Sequence, residues 1–513
     1  MSFRAVCLST LLSSLASLAL LEPPLARAAG VEETVAGSVT LGRAANAGRA
    51  NDFMAIMLNP ANLAVIPGGD LGGELRLALF NACYDRARDR ALSYREPSES
   101  FQGSESFANV CNEGAPFPTG NLGWAQSFEN GFGWGVGFFT PPGVAQSKWG
   151  RDRIVTVLPA EDERYPITES GVEYPNRHML LERRALAGWL MLGAGYQPIP
   201  TLRFGLSLGA GFFTLYNKNT SSVSGGFASD PELINEASGS DWFVPRATAS
   251  MVYAPTPSFE AFASLTYQAD VDASGHVDLT ANGIRDAPLR NCRSARPGPH
   301  CRIENVRIKV PFPTLEATLG LRYAERRVGR TRVLDPLKDE RWDVALELGW
   351  TQTSHVKEFG VQMVQPGETM PPQISFSSGA DARAVGTPPT ANIPRYWKDT
   401  WSVRLGGDYN LIAEKLAVRL GLSYAGTAVP GQYMNIDLLP VRKIGLHLGA
   451  TSAYKRLKLT IAYAHLFYEK VTVPVGSGEV REITSQPPEP QAVNEGFYHA
   501  QMDVISGQMN ISF

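Results

Sequence analysis

Residues 401–424 read WSVRLGGDYNLIAEKLAVRLGLSY, and their alternation decides the fold. Trp401, Val403, Leu405 and Tyr409 share one face of an extended chain, while Ser402, Arg404 and Asp408 share the other. After the short join NLIAE, Leu416, Val418, Leu420, Leu422 and Tyr424 oppose Ala417, Arg419, Gly421 and Ser423. A period of two held over eight or more residues predicts strands with one apolar and one polar face. WDVALELGW (342–350), KIGLHLGA (443–450) and LKLTIAY (457–463) repeat the pattern.

A soluble sandwich also alternates, so the choice rests on what surrounds the strands. Trp342/Trp350 and Trp401/Tyr409 stand at the ends of apolar faces, where the interface girdles of a transmembrane barrel belong. About fourteen strand candidates follow one another along the chain, near 71–84, 120–128, 131–140, 177–197, 201–216, 241–253, 259–272, 302–325, 340–352, 396–410, 415–427, 441–454, 457–474 and 497–513. Bacterial barrels of this kind have even strand numbers, with short turns at one end and long loops at the other. Short joins such as 129–130, 197–200, 254–258 and 455–456 do alternate with long ones. Only 326–340 breaks the rule, being long where a short turn is due. It reads as an enlarged turn or a misplaced strand boundary. The chain ends GQMNISF, an amphipathic strand closing on Phe513, the usual terminus by which such barrels meet their assembly machinery.

The N-terminus states the compartment. Arg4 precedes the apolar run 5–21, and small residues at Ala26 and Ala28 follow, which reads as a secretory signal over 1–28. Beyond it no run of about eighteen apolar residues occurs, so no membrane-spanning helix is expected. A net charge of −3 gives no electrostatic reason to expect nucleic acid. Four of the five cysteines remain after the signal: Cys83, Cys111, Cys292 and Cys301. An even number in an exported chain favours disulfides. Proximity suggests Cys83–Cys111 and Cys292–Cys301, with three connectivities open. No Cys-x-x-Cys or paired histidines accompany them, so neither metal nor cofactor is expected.

Four stretches carry a resemblance to a known family: NDFMAIMLNPANLA (51–64), PTGNLGWAQSFENGFGWGVGFFTPPGVAQSKWG (118–150), VRIKVPFPTLEATLGLRYA (306–324) and the paired strands of 396–430. In order and spacing they resemble the FadL-type outer-membrane transporters of long-chain fatty acids and other hydrophobic compounds. DLLPVRK at 437–443 departs from the family's usual acidic step before the twelfth strand. The resemblance implies a fourteen-stranded barrel over 71–513, plugged by an N-terminal hatch of short helices over 29–70. It also implies a Gram-negative outer-membrane location, passive uptake of a hydrophobic ligand, and a lateral exit at an inward kink of the third strand. A monomer in contact with outer-membrane lipid is the expectation.

The residues supply their own hints. Pro60 stops a helix at Asn59 and opens the Asn59-Pro60-Ala61 turn, and Pro67 to Gly69 turn the chain again. The hatch then joins the wall near Leu71. In the third strand Gly131, Gly133, Gly135 and Gly137 share one face. Together with Pro141 and Pro142 they mark the expected kink, since strand glycines signal bends or close approach of another backbone. The plain alternative is the glycine richness of a chain with 49 glycines. Arg203, Arg404 and Arg419 project toward the lumen as candidate contacts for a ligand carboxylate. The favoured alternative is a salt-bridged network with Asp343, Glu347 and Asp408. Scattered His447, Ser452, His465 and His499 do not assemble a catalytic triad, and no enzyme is expected. The competing function is a non-transporting barrel whose disulfide-closed loops bind a partner or a surface.

Overall fold

The computed structural model describes residues 37–45, 48–87, 109–114, 118–141, 146–149, 176–222, 232–282, 289–290, 300–327, 335–363, 373–376, 384–386, 390–483 and 492–513. The signal over 1–28, the start of the hatch, Pro142 and Cys292 lie outside these residues.

Fourteen antiparallel strands form the wall. They are β1 (Gly69–Arg86), β2 (Pro118–Ser127), β3 (Phe132–Phe139), β4 (Glu182–Ile199), β5 (Leu202–Ser222), β6 (Glu232–Thr256) and β7 (Phe259–Gln268). Then follow β8 (Leu315–Arg326), β9 (Glu340–Thr351), β10 (Thr400–Ile412), β11 (Leu416–Ala425), β12 (Lys443–Tyr454), β13 (Leu457–Tyr468) and β14 (Gly496–Ser512). Each pairs with the next, and β14 returns to β1 from Asp70↔Ser512 to Arg86↔Gly496, so the sheet closes. Closure removes the free edges that lipid could not satisfy. The apolar faces point outward: Leu420 and Ile461 are 62% and 69% exposed, while Arg419 and Ala462 on the same strands are buried. That inversion of a soluble protein is what a lipid-facing wall requires.

Several expected boundaries move, β4 starting at Glu182 and β6 at Glu232 in place of 177 and 241, and two of the moves alter the topology. The run near 302–325 is two strands, because Pro311 and Pro313 cannot donate to a ladder. His300–Val310 instead pairs with Val271–Asn282 above the wall, and β8 begins at Leu315. The strand expected to end at 272 likewise stops at Gln268, and Val271 starts that upper layer. The upper layer adds Glu358–Gln362 and Thr390–Pro394, and grows from the extended end of β6. The long join at 326–340 is an enlarged turn, since β8 and β9 are direct neighbours with Arg326 opposite Glu340. Inside it, Asp335 caps the short helix Pro336–Asp339 by accepting from the Leu337 N–H.

Residues 37–45 and 48–68 pack inside the barrel. Helix α1 (Ser38–Arg43) lies against β10 to β14, helix α2 (Ala55–Leu58) against β3 and β4, and the 3₁₀ turn Pro60–Val65 against β2 to β6. Cys83 and Cys111 form a disulfide across paired strands at the long-loop end. Cys301 is also disulfide-bonded, and its partner lies outside the described residues.

Candidate functional site

The plug is seated by glycines. Asn59 adopts an extended backbone (φ −157°), which ends α2, and Pro60 begins the 3₁₀ turn. The peptide groups of this turn lie directly on β3, β4 and β5. A Cβ at Gly195 would stand 2.5 Å from the Pro60 carbonyl oxygen and 3.0 Å from the Ala64 nitrogen. At Gly133 it would overlap the Leu63 carbonyl, and at Gly205 the Ala61 nitrogen. At Gly135 it would meet Ile56 Cδ1 at 2.8 Å. Close approach of the plug therefore accounts for two glycines of the third strand, its backbone at Gly133 and the Ile56 side chain at Gly135. Gly131, expected in the same row, belongs to the preceding turn, where its φ of +81° suits glycine.

Large apolar side chains complete the seat. Phe53, Met54, Ile56, Leu63 and Ile66 are buried with Phe139, Trp189 and Met191 of the wall. Ala61 N–H donates to Ser250 Oγ at 2.9 Å, and Phe53 N–H to Asp70 at 2.9 Å. The exit from the plug is pinned as well: Gly69 N–H donates to the Phe513 carbonyl at 3.0 Å, and Phe513 N–H returns to Gly69 at 3.1 Å. The turn at Pro67 to Gly69 is thus clamped to the last residue of the chain.

Beside the seat the wall ladder is interrupted. The last pair between β3 and β4 is Phe139↔Trp189, and β4 next finds a partner on that side at Arg184↔Gln146. Among the described residues, nothing pairs with Ala185 to Gly188 on that side. The departure from β2 is stabilised by Thr140, whose N–H donates to Asn121 Oδ1 at 2.9 Å. Its hydroxyl accepts from Gly120 N–H at 3.1 Å and donates to the Gly120 carbonyl at 2.9 Å. Side-chain bonds here replace the ladder, so the strand turns away without leaving its backbone unsatisfied.

An apolar cavity of about 180 Å³ opens behind the interruption. Ala185, Leu186 and Ala187 line it on the wall side, with Trp189, Phe213 and Phe312 deeper in. Pro141 stands at the same edge. Segment Asp437–Pro440 lines another side and is fastened by one carboxylate. Arg183 donates to Asp437 Oδ2 and to its carbonyl, both at 2.9 Å, and Arg395 also pairs with Asp437. Burial pushes the Asp437 carboxyl up, but Arg395 and Arg183 outweigh it and hold the group below its ordinary value. Lys443 reaches the same rim, its ammonium 5.4 Å from the centre of the Tyr468 ring.

Arg203, Arg404 and Arg419 line no part of this cavity. They sit in buried ion pairs. Arg203 meets Glu260 at 3.1 Å, Arg404 meets Glu347 at 3.5 Å, and Arg419 meets Asp408 at 3.1 Å. The cage extends through Arg322, which reaches Glu260 at 2.8 Å, Glu340 at 2.5 Å and Asp343 at 2.7 Å. The plug contributes Arg43, 3.0 Å from Asp343, and Arg49, paired with Asp408. Charge thus anchors α1 to β9 and β10, while apolar burial anchors α2 and the 3₁₀ turn to β3–β5. Arg43, Arg49, Arg183, Asp437 and Lys443 were not singled out by sequence reasoning. The first two could have been, as the only cations in the small-residue run GRAANAGRAND (42–52).

Apparent catalytic groups are occupied structurally. His447 is fully buried, with Nδ1 2.8 Å from the Leu41 carbonyl and Nε2 2.8 Å from Ser423 Oγ. GLSLG at 205–209 has the spacing of a nucleophile elbow, yet it lies inside β5 with Ser207 buried. An elbow needs a strand-to-helix turn that exposes the serine.

Comparison with known proteins agrees with this geometry. Residues 331–513 match the family model described as outer membrane protein transport protein (OMPP1/FadL/TodX). A Pseudomonas aeruginosa FadL homologue superposes with a TM-score of 0.65 at 14% identity, covering 94% of this chain and all of its own. The Pseudomonas putida toluene transporter TodX gives a TM-score of 0.56 at 14% identity, covering 90% of this chain and 94% of its own. The Ralstonia pickettii toluene transporter TbuX gives 0.51 at 15% identity, covering 93% and 98%. No curated protein matches the sequence. At these identities the structures speak for the fold, and the family match speaks for the lineage of the C-terminal third. That family comprises outer-membrane transport proteins, not enzymes. The chain is thus similar to FadL/TodX-type outer-membrane transport proteins, in fold along most of its length and in sequence over residues 331–513.

Proposed function

We propose that the protein is a passive channel for small hydrophobic molecules, which occupy the cavity behind β4 and leave sideways through the interrupted ladder at Ala185–Gly188. One observation carries this reading: the largely apolar cavity is lined by both Ala187, facing the lumen, and Leu186, facing lipid, so it reaches through the wall. The seated plug supports the sideways route, because Phe53, Met54, Ile56, Leu63 and Ile66 of the plug are buried against the wall.

Size favours a compact ligand. A dry apolar cavity of roughly 150 Å³ accommodates a benzene ring, and this one is about 180 Å³. A single aromatic ring or a short alkyl segment fills it. A long-chain fatty acid would extend into the gap, with its carboxylate near Lys443 and Arg183. The names of TodX and TbuX as toluene transporters point the same way by analogy of fold.

Ala187→Trp fills the cavity from the wall side. The expected result is at least a tenfold loss of toluene and fatty-acid uptake in cells whose outer membrane contains normal amounts of folded protein. Unchanged uptake would remove the cavity from the route. Lys443→Met separates the ligand classes: fatty-acid affinity falls several-fold while toluene affinity holds. An equal fall for both would assign Lys443 a purely structural role.

A further inference from the structure

The outer face of the wall beside the gap carries a second concavity, and its chemistry differs from that of the cavity. Strand pairing places its residues in rows. Leu186, Thr214, Ser240 and Ser274 stand opposite one another on β4, β5, β6 and the strand Val271–Asn282. Two residues further from the membrane, Arg184, Tyr216, Ser238 and His276 form the next row. The small serines leave a saddle of about 520 Å³ that these rows line. That volume falls within the roughly 300–1,000 Å³ of small-molecule sites. The saddle shares Ala185, Leu186 and Leu215 with the inner cavity.

Its depth is set by aromatic rings. Phe138, Phe212 and Trp242 stack across the outer face, with centroids 6.3 Å and 5.9 Å apart, and Trp242 is 73% exposed. Such a row marks a membrane interface. Phe204 and Phe212 lie eight residues apart on β5. At about 3.3 Å per residue and a tilt near 40°, that spans about 20 Å of membrane depth. An apolar band about 25 Å tall then reaches to the row of Thr214 and Ser240. The saddle therefore sits where the lipid chains of the outer leaflet give way to their head groups.

We infer that the saddle binds the saccharide head group of an outer-leaflet glycolipid, whose acyl chains lie over Leu186 and Phe212 and cover the gap. Serine, threonine and tyrosine hydroxyls both donate and accept, which matches sugar hydroxyls. The cations are balanced locally: Arg184 pairs with Glu182 at 2.5 Å, Lys218 with Glu236 at 3.2 Å, and His276 faces Asp278 at 3.6 Å. Tyr216 donates to Glu236 at 2.7 Å, and the Arg184 guanidinium lies 5.1 Å from its ring centre. A bare phosphate would need uncompensated cations, whereas this surface offers mixed donors and acceptors. A glycolipid held here gives the wall an apolar outer lining, so a molecule leaving the cavity enters acyl chains and not water. The inference goes beyond the transport reading, because its test uses no transported molecule.

The full-length barrel in phosphatidylcholine nanodiscs is titrated with dephosphorylated lipid A, an acylated diglucosamine without phosphates, and the bound lipid is counted by native mass spectrometry. Ser240→Leu with Ser274→Leu fills the saddle from outside the core. Arg184→Gln serves as an independent second variant, and Ala187→Trp as a control altering only the inner cavity. Expected are saturable binding to the wild-type and control proteins, and at least a tenfold weaker affinity in the filled variant or in Arg184→Gln. Phosphatidylglycerol should not compete. Equal binding by all four proteins, no saturable binding to wild type, or displacement by phosphatidylglycerol as effective as by unlabelled dephosphorylated lipid A would each overturn the inference.

Discussion

Gly205→Val should turn a barrel that is silent in planar bilayers into one that conducts ions. The added Cβ and its methyls would occupy the place of the Ala61 peptide nitrogen and the Pro60 carbonyl carbon. A flexible side chain could swing away from such an intrusion, but a backbone held on both sides cannot. Below the seat, Gly69 and Phe513 clamp the exit of the plug. Above it, Phe53 and Ile56 are buried against the wall. Overpacking of this kind costs about 1–3 kcal/mol or more per site, and here the strain falls on the contact that closes the lumen. Gly133→Val, which overlaps the Leu63 carbonyl, should act alike. Gly507→Val is the matched control, since a Cβ there meets nothing within 4 Å. A folded Gly205→Val barrel as silent and as heat-stable as wild type would show that the turn Pro60–Val65 does not rest on β5.

The second large effect belongs to the ion cage. Asp343 is fully buried and accepts from Arg322 at 2.7 Å and Arg43 at 3.0 Å, with Arg49 at 3.8 Å. Its other oxygen takes the Asp408 N–H at 2.8 Å. Asp343→Asn keeps the shape and removes the charge, leaving Arg322, Arg43 and Arg49 one buried carboxylate short, with only Glu260, Glu340 and Asp408 to balance them. Breaking a buried pair in this way typically costs about 3–5 kcal/mol. A lowered urea midpoint for the folded barrel is the expected reading. Pairing Asp343→Asn with Arg43→Met should restore part of the loss, because the substituted groups interact directly. Strictly additive losses would place Arg43 outside the cage.

The wall was legible because lipid enforces a simple rule on every strand. In KLAVRLGLSY, Leu420 and Leu422 must face hydrocarbon and Arg419 must not, so the period of two appears undiluted. The same rule misleads at His300–Val310, where Cys301, Ile303 and Ile308 alternate toward a buried upper layer that lies outside the membrane. Only the prolines at 311 and 313 mark the change. The glycines of β3 were legible as a feature but not in their use, since their partner backbone lies some seventy residues earlier in the chain. The cavity left no local signature. Ala187, Phe312 and Lys443 come from three distant segments, and each reads alone as an ordinary wall or loop residue. The carboxylate fastening Asp437–Pro440 sits in a loop, DLLPVRK (437–443), with no chemical motif of its own, so no pattern pointed to it.

The central claim is that apolar molecules pass through the wall at β4 and not through the plug. A toluene analogue carrying a diazirine, photolysed in the loaded barrel and mapped by mass spectrometry, tests it directly. The account predicts labels on Ala187 and Phe312 within the cavity and on Leu186 at the outer face, with residues 53–66 unlabelled. Labels running from the cavity into Ile56, Leu63 and Arg43, with Leu186 bare, would contradict it and place the route along the barrel axis.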